Sequence, residues 1–177
     1  MRSRGFTLVE LLVTITIIVV LAAISTPLVS RGLAKSKQAA CLGKLRNIGV
    51  GVESYLQDNN RKMPPLAASR ESKEEEVKVL ETELVPYLSA PDAFQCPADG
   101  KEYKKTGCSY IWNSAVSGQL ASNLSFLGKD GRPQAIPLVA DKESWHPEPK
   151  GTNILYADFT ASSDLKFTTS TPGTSTP

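Results

Sequence analysis

A single carboxylate, Glu10, interrupts an otherwise uncharged apolar run that extends from Phe6 to Val29. It follows Gly5 by five positions, and Gly5 is itself preceded by Arg2 and Arg4. A charge at the centre of a membrane helix costs about 2.5–3.5 kcal/mol, less toward the edge, and such a residue usually marks a functional partner. The chemistry open to Glu10 is ion pairing, most economically with a cation supplied by another molecule in the same membrane. Other reactive groups are sparse. His146, between Trp145 and Pro147, is the only histidine, which allows neither a catalytic triad nor a two-histidine metal site. It reads as a loop residue stacked near Trp145. No glycine-rich phosphate loop followed by Lys-Ser/Thr occurs. Nothing in this inventory describes an enzyme.

The elements that must carry these residues begin with the apolar run. From Phe6 to Val29 it exceeds the ~20 residues that cross a bilayer. Thr7, Thr14, Thr16, Ser25 and Thr26 dilute it, and helical hydroxyls are tolerated in lipid because they bond back to the preceding turn. Pro27 removes one backbone donor and is expected to kink or loosen the helix. Beyond it the apolar spacing stays helical through Leu33, Cys41, Leu45, Ile48, Val52 and Tyr55, with Leu42 and Leu56 beside them. That stripe predicts an amphipathic helix laying one face on a small domain. Gly43, Gly49 and Gly51 allow two readings, close helix–sheet packing or a flexible stem, and packing is favoured. The helix should end near Asn59-Asn60, ahead of Met63-Pro64-Pro65. At 1.5 Å per residue the rod from Phe6 to Asn60 would span roughly 80 Å.

After a connector over Pro64–Ser72, the capping-box spacing Ser72-x-x-Glu75 predicts a short helix over Lys73–Leu84, stopped by Pro86. The remainder reads as a small antiparallel sheet. Candidate strands are Ser109–Asn113, Ile136–Asp141, Asn153–Ala157 and Ala161–Thr168, the last two forming a hairpin around Asp158-Phe159-Thr160. Asp130-Gly131 marks a turn. Residues 169–177 contain only Ser, Thr, Pro and Gly and read as a disordered tail. The class is α+β: a long N-terminal helix packed on a small antiparallel sheet.

The segment Arg4-Gly5-Phe6-Thr7-Leu8-Val9-Glu10-Leu11-Leu12 resembles the N-terminal signature of type IV pilins and type II secretion pseudopilins. The resemblance is close over Gly5–Leu12, fair to about Asn60, and diffuse beyond. It implies that a prepilin peptidase cuts after Gly5, that the new N-terminal Phe6 is N-methylated, and that Glu10 guides docking into a growing filament. It also implies a pilin-like division into residues 1–5 as leader, 6–29 as membrane helix, 30–60 as stem, 61–108 as connector and 109–168 as sheet. Partners would be copies of the chain, other pseudopilins and an inner-membrane assembly platform. The chain would cross the bacterial inner membrane once, with its head in the periplasm. Leu84-Val85-Pro86-Tyr87-Leu88 and Cys96-Pro97-Ala98-Asp99, followed by Ser109, Tyr110 and Asn113, are similar to a head loop of pseudopilin-like proteins. Where such relatives commonly carry Asp-Gly-His in the last turn, this chain has Asp158-Phe159-Thr160. Any role tied to the missing glycine and histidine is therefore in doubt.

Two ligand questions follow from the resemblance. An extracytoplasmic head permits a disulfide, and Cys96 with Cys108 could close a small loop worth roughly 3 kcal/mol. Cys41 then reads as a small buried apolar residue on the stem. Zinc is the competing reading, disfavoured by the absence of CxxC and by the lone histidine. Major pseudopilins often hold calcium, which needs several oxygens. Asp141, Glu143 and Asp158 are available for it, with Asp130 further off, but their spacing is not diagnostic and solvated loop acids are the plainer account. No other cofactor is expected.

Length and charge bound the rest. A chain of 177 residues holds one domain and a stem. The net charge of +2 gives no reason to expect nucleic acid as a partner. Arg31, Lys35, Lys37, Lys44 and Arg46 cluster after the apolar run and Glu71–Glu83 is acidic, so neighbouring subunits could complement each other. The preferred function is a subunit of a type II secretion pseudopilus, with a type IV pilus subunit as the alternative. From another class, a secreted or anchored binding module would use a conventional signal peptide cut after Ser25, or an uncleaved anchor. That reading leaves Glu10 without a purpose.

Overall fold

The computed structural model describes residues 7–88, 90, 92–127, 132–147 and 151–166. Gly5, Phe6, the Asp130-Gly131 turn and residues 169–177 lie outside the described residues. Helix α1 runs from Leu8 to Asp58. Thr7 caps its start, and Asn59 at its end leads into Asn60 and Arg61, whose φ values of 53° and 59° turn the chain left-handed. Arg61 N–H closes the turn on the Leu56 carbonyl at 2.8 Å. The end therefore falls within two residues of the sequence expectation.

Helix α1 continues through Pro27 without a break. The helix loses one donor there, while neighbouring hydroxyls bond back to it. Ser25 Oγ donates to Leu21 O and Thr26 Oγ1 to Ala22 O, both at 2.8 Å, and Ser30 Oγ donates to Pro27 O at 3.0 Å.

The expected helix over Lys73–Leu84 is mostly absent. Only α2, Leu80–Glu83, forms, followed by one 3-10 turn over Val85–Tyr87. Arg70 explains much of this. Its Nη1 occupies the Lys73 carbonyl at 3.0 Å, which a helix would have offered to Val77, and its Nε bonds both Glu81 Oε1 and Thr106 O. Lys78 O meanwhile accepts from Ala67 N–H at 2.9 Å. Three adjacent exposed acids, Glu74–Glu76, gain nothing from helical crowding that would oppose these bonds.

Helix α3, Glu102–Thr106, precedes the sheet and ends on Gly107, whose φ of 90° favours glycine. The sheet is an antiparallel meander in the order β1 (Tyr110–Trp112), β2 (Pro137–Asp141), β3 (Ile154–Tyr156) and β4 (Ala161–Ser162). Tyr110 pairs with Asp141 and Ala140 with Ile154, with a register shift between Pro137 and Val139. The final turn places Phe159 at φ 60°, the conformation a glycine would take freely. Its ring compensates by packing on the core and lying against Gly49 of α1.

The core joins one face of α1 to this sheet and to the connector. Cys41, Leu45, Ile48, Val52 and Leu56 are fully buried with Leu80, Leu84, Trp112, Leu138 and Leu155. Each large aliphatic side chain so buried stabilises by about 1.5–3 kcal/mol. Burial starts at Cys41: Leu33, in the sequence stripe, is exposed. Gly49 and Gly51 are packing glycines, as favoured. A Cβ on Gly51 would sit 2.9 Å from Leu88 Cδ2, and one on Gly49 would meet Leu155 Cδ1 at 3.3 Å. Gly43 faces open space and has no such reason.

Candidate functional site

Glu10 sits in the first turn of α1, and its carboxylate folds back onto the helix start. Its Oε2 accepts from Thr7 N–H at 2.9 Å and from Thr7 Oγ1 at 2.7 Å, while Thr7 Oγ1 accepts from Glu10 N–H at 3.2 Å. This is a capping box, whose Thr-x-x-Glu spacing was present in the sequence but was read there only as a threonine diluting an apolar run. It fixes the carboxylate at the helix N-terminus, where the helix dipole favours negative charge. An incoming cation would meet an oriented acid. The rest of the N-terminal half is bare: Leu8, Val9, Leu11, Leu12, Ile15, Ile18, Val19, Leu21, Ile24, Leu28 and Val29 are all exposed. Its length and composition suffice to cross a membrane, and none of its most apolar window is covered by the head.

At the stem–head junction the cysteine expectation needs correction. Cys41 is bonded to Cys96, with Cα atoms 5.0 Å apart, and Cys108 is a buried free thiol. The reason is local geometry. Ser109 N–H bonds Phe94 O and Ser109 Oγ accepts from Cys96 N–H, so the Ser109 side chain faces the Cys96 loop. Successive residues of an extended segment point to opposite sides. Cys108 accordingly turns away, its Sγ donating to Tyr110 O at 3.3 Å, and burial drives its thiol pKa well up. Cys41 instead occupies the stem face that meets the head. With the partners separated by 55 positions in sequence, the bond is worth about 4 kcal/mol by the chain-entropy argument.

His146 is a loop residue, following β2, and its side chain is fully buried beside that bond. Its Nε2 lies 3.6 Å from Cys96 Sγ and 3.2 Å from Asp141 Oδ2. Asp141 Oδ2 also accepts from Asn153 N–H at 2.7 Å. Burial pushes the Asp141 carboxyl up to about 7 and the His146 imidazole down, so the environment favours the neutral form of each. Asp141 Oδ1 and His146 Nδ1 are buried without a hydrogen-bond partner.

The calcium candidates are dispersed. Asp141 lies at the end of β2 that meets Asn153, while Asp158 follows β3 at the end that meets Pro137. Glu143 pairs with Lys101 at 3.2 Å and accepts from Trp145 Nε1, and Asp158 accepts from Thr160. Among the described residues these acids do not form a convergent group; Cys41, Cys96 and His146 do.

The Cys-Pro-x-Asp element proves to be scaffolding. Asp99 accepts from the backbone N–H of Lys101, Glu102 and Tyr103, capping α3, and from Ser109 Oγ at 2.6 Å. Burial alone would raise its pKa, but these hydrogen bonds outweigh it and hold the carboxyl below its ordinary value. Asn113 plays a similar part, donating to Pro137 O at 2.8 Å.

Comparison with known proteins agrees with the N-terminal geometry. The prokaryotic N-terminal methylation motif matches over residues 1–26. The chain is 37% identical over 60 residues to the type IV major pilin protein PilA of Myxococcus xanthus (strain DK1622). That match covers 34% of this chain and 27% of the relative's length. No solved structure matches. The prepilin-type motif, the partial likeness to a pilin and a long N-terminal helix on a four-stranded antiparallel sheet together make the chain similar to type IV pilins.

Proposed function

We propose that this chain is a structural subunit that polymerises into a filament after a prepilin peptidase removes Met1–Gly5. The observation that carries the reading is one oriented acid, Glu10, at the head of an apolar helix that the described residues leave uncovered. Lipid covers that surface in the precursor and neighbouring α1 helices cover it in the filament. Glu10 then attracts the amine of Phe6 on an adjacent copy. Low dielectric strengthens the pair while desolvation offsets much of the gain, so its value lies in register: a misplaced subunit leaves the carboxylate unpaired in lipid. The chain crosses the inner membrane once, with its head on the periplasmic side and an assembly platform as partner.

Within this class a type II secretion pseudopilus is the first reading, supported by the small head. The likeness to a type IV major pilin favours a surface pilus as the second. A deletion strain separates them: loss of exoprotein secretion points to the first, and loss of surface fibres to the second. The subunit role itself is tested by Glu10→Ala, which should leave processing intact and abolish incorporation, while Gly5→Ala impairs cleavage. Normal filaments from the Glu10 variant contradict it.

A further inference from the structure

Cys41, Cys96 and His146 converge from three distant stretches of the chain, on α1, in the connector and after β2. Their ligand atoms lie within 4.8 Å of one another and all three residues are buried. Asp141 adds a carboxylate oxygen 3.2 Å from the imidazole Nε2.

The spacing matches one coordination polyhedron. For tetrahedral zinc, with Zn–S of about 2.3 Å and Zn–N and Zn–O of about 2.0–2.1 Å, a sulfur–nitrogen edge is about 3.6 Å and a nitrogen–oxygen edge about 3.3 Å. The corresponding separations are 3.6 Å for Cys96 Sγ to His146 Nε2 and 3.2 Å for His146 Nε2 to Asp141 Oδ2. These are two of the six edges of such a site; the sulfur–sulfur edge departs, because the two atoms are bonded to each other. Polar groups around the cluster are under-satisfied: Asn153 Nδ2 is buried with no hydrogen-bond partner, as are Asp141 Oδ1 and His146 Nδ1, the atoms of those two groups that the site would leave off the cation.

We propose that, once the disulfide is reduced, Cys41, Cys96, His146 and Asp141 bind one divalent cation of the zinc type. The stem and head would then be tied by either of two cross-links at one place. A dithiol reductant supplies two electrons and two protons, the Cys41–Cys96 bond breaks to two thiols, and the reductant leaves as its own disulfide. The cation displaces both thiol protons to solvent and is held by the resulting thiolates. Two thiolates and an imidazole select zinc or cobalt over calcium or magnesium, which prefer all-oxygen sites. The proposal is independent of filament formation.

The test uses the full chain in detergent, reduced with a phosphine, desalted without oxygen and titrated with cobalt(II) as a coloured substitute for zinc. One equivalent should bind with a thiolate-to-cobalt charge-transfer band that added zinc abolishes. The oxidised protein should bind none. His146→Ala should weaken cobalt binding by more than about tenfold, the loss that removing even an outer-shell partner of a metal site produces. Cys108→Ser should leave it unchanged. Absence of the band in the reduced wild type overturns the proposal, as does a band that survives His146→Ala and disappears in Cys108→Ser. Should His146→Ala not fold, X-ray absorption of the zinc-loaded wild type decides: two sulfurs with an imidazole support the site, and a sulfur-only or oxygen-only shell overturns it.

Discussion

The two halves of α1 are both rich in apolar side chains, yet they solve different problems. From Leu8 to Val29 the large aliphatic residues are exposed around the whole helix, and none of the described residues covers them. From Cys41 to Leu56 one apolar face is fully buried, and Val50 is left exposed off it. The first half is written for a partner outside the chain, and its one specific feature is the Thr7–Glu10 box. The second half is written for the chain's own head, with side-chain volume matched position by position and a covalent tie at its start. One continuous helix thus carries both an exposed apolar half and a half packed into the head.

If the head half is held as described, breaking its tie should have the largest effect on stability. Cys41→Ser is expected to lower the unfolding free energy of the oxidised protein by about 4 kcal/mol. Denaturant unfolding followed by Trp112 and Trp145 fluorescence reads this directly. Cys108→Ser should cost far less, and an equal cost would restore the original pairing of Cys96 with Cys108. Close packing makes the next demand. Gly51→Val should cost about 1–3 kcal/mol through its collision with Leu88.

A smaller effect carries a pH signature. Asp99 has a folded pKa below its unfolded value, so its contribution is present above the unfolded pKa and lost as pH falls through the folded one. Asp99→Ala should therefore destabilise by about 0.5–2 kcal/mol at neutral pH, the usual cost of removing a helix cap. The gap to wild type should narrow below about pH 4, where the unfolded carboxyl is protonated. A pH-independent difference would assign the loss to packing alone. The smallest change sharpens the contrast among the stem glycines: Gly43→Ala should be neutral or stabilise by up to about 1 kcal/mol, since no atom meets its Cβ and alanine favours helix. Equal losses at Gly43 and Gly51 would point to flexibility and away from packing.

What was legible in the chain follows the same division. Local periodicity located α1 to within two residues at either end, because apolar spacing and the Pro64-Pro65 stop act over one or two turns. The strands emerged within a few residues of Tyr110–Trp112, Pro137–Asp141 and Ile154–Tyr156, although β4 is far shorter than Ala161–Thr168 suggested. Glu10 was conspicuous because nothing around it resembles it. Apart from the local Thr7–Glu10 box, the failures are non-local. Nothing near Lys73 announces that Arg70 will occupy its carbonyl while reaching Glu81 and Thr106. Cys41 was read by its helix and not by the surface that helix meets. His146 looked solitary because its neighbours, Cys41, Cys96 and Asp141, are gathered only by the fold.

The uncovered half of α1 and its oriented carboxylate are meaningful for assembly only if the cation of the next subunit is the amine of Phe6. Mass spectrometry of the mature N-terminus measures this directly. A polypeptide beginning at N-methylated Phe6 is the expected result. One beginning at Met1 or at Thr26 would contradict the account.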